Sequence, residues 1–165
     1  MELLAQLHPP VVHFAIALII TGILFDVLGF ILKKESLKHA GFWTILFGIF
    51  AVWGAMFTGH EAEELVEDAI KGTVAYQLLE EHDEIGEILP WIVTVLGIMR
   101  MFLFFRPNNK LFVIYLIAGL LVAGAIGYQG RTGGKLVFEY GVGVKTVNKE
   151  GEKKQDYYHY EDEHE

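Results

Sequence analysis

The chain contains no cysteine. That absence excludes disulfides, thiolate metal sites, iron–sulfur clusters and covalent attachment of a c-type haem. It also lacks the local patterns of common catalysis. There is no GxSxG elbow, no phosphate-binding glycine loop, no HExxH and no pair of carboxylates set across a soluble cleft. GVGV at 141–144 is too short for a nucleotide loop and has no βαβ context. Nothing marks the chain as an enzyme by itself. Basic residues are scarce, 13 Lys and Arg against 21 Asp and Glu, and the net charge of −8 argues against nucleic-acid binding. Before the first apolar run Glu2 is the single charge, and no small-residue cleavage pattern follows, so that run is expected to be retained rather than cleaved.

What is present is apolar. Hydrophobic residues make up 53% of the 165, and the mean hydropathy is +0.37. They gather in four stretches, 11–32, 40–58, 88–105 and 111–128, separated by charged linkers. A hydrocarbon core about 30 Å thick is crossed by about 20 helical residues, the length of each stretch. Backbone groups at that depth must pair with one another, so a span is a helix or part of a closed barrel. None of the stretches alternates strictly, which selects the helix. The expected fold is all-α: a four-span bundle over 1–144, with a charged, disordered tail at 145–165 that includes His159 and His164.

Charge then sorts the linkers. The first carries Lys33, Lys34 and Lys38, and the third carries Arg106 and Lys110. Both are short and basic, so the positive-inside rule places them in the cytoplasm. The second, 59–87, holds ten acidic residues and one lysine. It is expected outside with both termini, where its field attracts cations or basic proteins.

Local patterns refine the spans. Pro9 and Pro10 suit the first turn of a helix, with His8 as its cap. Gly41, Gly48, Ala51 and Gly54 offer small-residue packing along the second span. Ala62, Leu65, Val66, Ala69 and Ile70 fall at helical spacing and predict an external amphipathic helix that Gly72 ends. Leu78, His82, Ile85 and Leu89 share a stripe leading into the third span, with a kink expected at Pro90. The alternation of Leu136, Phe138, Tyr140 and Val142 predicts a short extended segment.

Histidine carries the chemistry. Topology brings His8, His13, His60 and His82 to one side of the membrane. Neutral imidazoles grouped at helix ends inside an apolar bundle suit haem b, or zinc, copper or iron. Phe14, Trp53, Phe57 and Trp91 would line a porphyrin, and His13 with His60 is the first choice of opposed pair. Glu61 or Glu64 would supply an oxygen ligand to a smaller metal site. The plainer reading of each single histidine is a cap or hydrogen-bond partner, and of the carboxylates a solvated acidic surface. Asp26 and Arg100 lie at matching depth, about 9 Å from the basic boundary by helical rise, which predicts a structural ion pair.

LHPPVVHFAIAL at 7–18, the lone His82 and GGKLVFEYGVGV at 133–144 together resemble the bacterial membrane proteins grouped as domain of unknown function 2231. The resemblance covers about 7–144. This chain has Ala15 where the family often has proline and Phe138 where it often has tyrosine, and neither change removes a candidate ligand. The resemblance implies a helical integral membrane protein of a bacterial membrane, in some relatives joined to cytochrome c domains. Two functions follow. One is a haem b or redox-metal protein passing electrons near the external face of the cytoplasmic membrane to a cytochrome c or other basic redox protein. The other is a non-redox accessory subunit or an external divalent-metal binder.

Overall fold

The computed structural model describes residues 2–144 and is helical throughout. Helix α1 spans Glu2–Ile31, α2 Glu35–Glu64, α3 Glu67–Ile70, α4 Val74–Phe105 and α5 Asn109–Phe138. Four of these are long and apolar enough to cross a membrane. Each runs 30 or 32 residues, more than hydrocarbon alone requires, so polar turns of helix overrun the apolar part. The long helices form a ring. Helix α1 packs on α2 and α5, and α4 packs on the same two, so α1 and α4 face each other across the axis. Both short turns, between α1 and α2 and between α4 and α5, close the basic end. The α2–α4 connection and the last turns of α5 lie at the acidic end.

Glycine sets the α1–α2 seam. A Cβ on Gly22 would stand 2.6 Å from Ile45, one on Gly41 would stand 2.6 Å from Asp26, and Gly48 would press on Ile19. Lipid tails are as apolar as leucine, so close backbone approach and polar contacts must drive this packing. The small residues expected to pack thus meet α1. Each span also keeps most of its apolar surface outward, with Phe14, Phe47, Phe50 and Leu121 among the exposed side chains. In the bilayer those side chains contact lipid.

The ends of the elements depart from expectation. Helix α1 begins at Glu2, so Pro9 and Pro10 are interior and His8 is not a cap. Both prolines are exposed, and each removes one intrahelical hydrogen bond without ending the helix. The pattern 62–70 is not one helix: α2 continues to Glu64, a turn intervenes at Leu65–Val66, and α3 is a single turn. Gly72, with φ +81°, ends it as expected. Helix α4 runs through Pro90 as one element. The predicted extended segment is corrected most clearly. Helix α5 continues to Phe138, and a glycine turn follows, with Val142 N bonded to Leu136 O at 2.9 Å and Gly141 at φ +68°. Alternation without a partner strand leaves the ladder groups unpaired, and helix satisfies them locally. The tail from 145 to 165, with His159 and His164, lies outside the described residues.

Candidate functional site

Two polar groupings draw on α1 and α4, one toward each end of the bundle, and the first joins the two helices directly. Asp26 and Arg100 form the first. Arg100 donates from Nε to Asp26 Oδ2 at 2.7 Å and from its terminal nitrogen to Oδ1 at 2.9 Å. Tyr115 Oη donates to Asp26 Oδ2 at 2.8 Å, and Arg100 also donates to the Lys38 carbonyl at 2.6 Å. Phe42, Phe112 and Tyr115 lie 5.4–5.9 Å from the guanidinium. Asp26 is wholly buried and Arg100 nearly so. A charge at that depth is tolerated because it is paired, hydrogen-bonded and walled by aromatic faces. This is the ion pair that the matched depths predicted.

His8 and His82 form the second. Each lies 18 residues before its counterpart in the first cluster, His8 before Asp26 and His82 before Arg100. That interval is five turns at about 3.6 residues per turn, so each histidine returns to the face that points at the axis. Both imidazoles are half-buried.

The hydrogen-bond network assigns their tautomers. Thr58 Oγ1 donates its proton to the Gly54 carbonyl at 2.8 Å, with the Ala55 carbonyl at 3.2 Å. It therefore accepts from His8 Nδ1, 3.2 Å away, as does the Ala55 carbonyl at 3.1 Å. On the other side Thr132 Oγ1 donates to the Gln129 carbonyl at 2.9 Å and accepts from His82 Nδ1 at 2.8 Å. Both rings thus carry hydrogen on Nδ1 and a lone pair on Nε2. Glycine makes room for each ring. A Cβ on Gly59 would stand 3.0 Å from His8 Cε1, and one on Gly133 would stand 3.0 Å from His82 Cε1. Gln129 Nε2 donates to the His82 carbonyl at 2.6 Å, which ties α5 to α4 beside the site. Two acceptors there are buried without a partner, Glu61 Oε2 and Gln129 Oε1. Glu61 follows Thr58 by three residues, on the same side of α2.

The other candidate ligands are not drawn in. His13 is exposed, and its Nδ1 donates to the Pro9 carbonyl of its own helix at 2.6 Å. His60 is exposed and faces Glu64 at 3.5 Å along α2. The expected opposition of His13 and His60 is therefore not seen: both side chains are exposed, while His8 and His82 are half-buried. Phe14, Phe57 and Trp91 are turned outward, each at least 60% exposed. Trp53 packs edge-on against Trp91 at 4.8 Å and donates to Thr94 Oγ1 at 3.1 Å. Among the described residues no group of three or more His, Asp and Glu side chains is close enough to hold a metal ion between them. The flanking carboxylates spread over the rim, where Tyr128 bonds Glu81 and Glu63 leans on Asp83.

Sequence reasoning passed over Thr58, Gly59, Gln129, Thr132 and Gly133. Their signal is the pattern FTG at 57–59 and QGRTGG at 129–134, polar groups one turn apart directly beyond an uncharged span.

Comparison with known families gives one match: the family described as predicted membrane protein, DUF2231, fits residues 5–146. No curated protein and no solved structure matches the chain. The match takes in both axial clusters and all four spans, so the chain is a multi-pass membrane protein belonging to the DUF2231 family.

Proposed function

We propose that the protein is a redox protein of the bacterial cytoplasmic membrane that holds haem b, or a redox-active copper or iron, through His8 and His82. The observation that carries this reading is the pair of uncommitted Nε2 lone pairs, presented by two helices that face each other across the axis. Two neutral imidazoles are the donor set of bis-histidine haem and suit copper or iron equally. Thr58 and Thr132 do for these rings what outer partners do for ligating histidines: they fix the tautomer and the ring plane. Gly59 and Gly133 keep side chains away from the carbon beside each nitrogen. A bound haem or metal would supply one-electron transfer. The chain would supply its position and a shielded path to the acidic rim.

The basic turns support an orientation with that rim and both termini outside. An acidic rim favours encounter with a basic partner such as a cytochrome c through its field. The same acidic rim supports a second reading: its field attracts divalent cations, and the protein would then be an external metal binder or a non-redox accessory subunit.

The absorption spectrum and metal content of the purified protein test both readings. A Soret band, or one copper or iron per chain, is expected. It should be lost in His8→Ala and His82→Ala and kept in His13→Ala and His60→Ala. Stoichiometric zinc without a Soret band would select the second reading. Protein free of haem and metal would defeat the redox reading and leave the accessory subunit.

A further inference from the structure

The basic end holds a cleft that the axial clusters do not use. It measures about 620 Å³ and is lined by Phe30, Ile31, Lys33, Glu35, Lys38 and Asn109. Its apolar wall is well made: Phe30 stacks on Phe112 at 5.7 Å, and Lys38 Nζ stands 5.8 Å over the same ring. Glu35 is neutralised by Lys38 at 2.7 Å. Lys33 has no carboxylate within salt-bridge distance among the described residues. Lys34, Arg106 and Lys110 add charge on the two turns, where five basic side chains meet a single acidic one over 33–38 and 106–110. Asn109 opens α5, whose N-terminus carries the positive end of its dipole.

The backbone at Lys33 is the second observation. Helix α1 closes with Lys34 N bonded to Gly29 O at 3.0 Å, and the residue between, Lys33, takes φ +54°. That left-handed position is where glycine is cheapest. A lysine holds it at a conformational cost and projects a free ammonium beside the cleft. Strain of this kind collects where a side chain is needed. From the cleft an exposed apolar stripe, Ile31, Leu28 and Leu24, runs along α1 toward the middle of the span.

We propose that this cleft seats the phosphate headgroup of an anionic phospholipid, with an acyl chain lying on the Leu24–Leu28–Ile31 stripe. Basic pockets at the polar boundary of a membrane bundle recognise such headgroups by charge. The stripe continues the site into hydrocarbon, which a free phosphate would not use. The inference does not depend on what His8 and His82 hold.

Thermal unfolding of the full chain in a neutral detergent tests it. The additions are phosphatidylglycerol, phosphatidylcholine or inorganic phosphate. Phosphatidylglycerol should raise the midpoint by several degrees and saturate, while the other two leave it unchanged. Lys33→Gly removes the charge and relieves the left-handed strain. It should unfold no earlier than the parent without lipid, yet lose the phosphatidylglycerol shift. Lys33→Arg should keep the shift, and Lys71→Ala, at the acidic end, should keep it in full. An equal shift with phosphatidylcholine, an equal shift with inorganic phosphate, or a full shift surviving in Lys33→Gly would each overturn the proposal.

Discussion

Replacing Asp26 by asparagine keeps the shape of the side chain and removes its charge. Asp26 accepts three hydrogen bonds, two from Arg100 and one from Tyr115. An asparagine has one acceptor oxygen, so its amide must face at least one of those donors, nitrogen against N–H or O–H. Arg100 would then hold a buried charge with no counter-ion. Breaking one side of a buried pair costs about 3–5 kcal/mol. In a chain of this size each kcal/mol moves the midpoint by about 2–4 °C, so a fall of about 6–20 °C is expected. Thermal unfolding in detergent reads it. Arg100→Gln should cost a similar amount, because Asp26 is then the stranded charge. The double variant strands neither, and its loss should be smaller than the sum by about 0.5–3 kcal/mol, the coupling of groups in contact. Two losses that simply add would refute the claim that the pair, rather than each residue alone, is what the bundle needs.

Further outcomes follow from the same geometry. Tyr115→Phe deletes one hydrogen bond to a charged acceptor and should cost about 1.5–3 kcal/mol in the same unfolding assay. Gly59→Ala and Gly133→Ala each press a Cβ against an imidazole carbon at 3.0 Å, so any bound haem or metal should be weakened, read by spectrum or elemental analysis. Lys33→Gly relieves a left-handed backbone worth about 1–2 kcal/mol, against about 0.5–1 kcal/mol of glycine's extra chain entropy, so the lipid-free protein should be stabilised modestly, measured by the same melts. Single cysteines at Lys34 and Asn108 should resist a membrane-impermeant thiol reagent in intact cells, and a cysteine at Glu64 should react; labelling of the first two would reverse the orientation.

Much of the fold is written in the sequence because a bilayer tolerates few alternatives. Long apolar runs must be helices, and a buried aspartate and arginine at equal depth must meet. The inward tilt of His82 was also readable, since a lone polar group on an apolar stripe has no reason to face lipid. The ends were harder. Helix α1 starts at Glu2 and carries both prolines in its interior, on an exposed face, so a proline pair did not mark the start. Helix α5 runs ten residues past Tyr128, so Thr132 and Gly133 belong to the bundle, and Leu136 and Phe138 are helical rather than extended. Apolar periodicity does not choose between His8 and His13, for a physical reason. In lipid an apolar residue is comfortable on either face, so apolar periodicity does not reveal which side of α1 looks inward. Polar residues do, and the five-turn interval from His8 to Asp26 is the clue that separates the two histidines. His13 is five residues further along, about 140° around the helix by the same arithmetic, and it emerges on the outer surface.

The reading that His8 and His82 present free Nε2 lone pairs to one shared site is put to the test by titrating cofactor-free protein with haemin, and separately with Cu²⁺ and Zn²⁺. Saturation at one equivalent per chain with at least one of these ligands is expected. His8→Gln and His82→Gln should each abolish that binding, while His13→Gln and His60→Gln leave it intact. Binding that survives in His8→Gln and His82→Gln, or no saturable binding of any of the three, would contradict it.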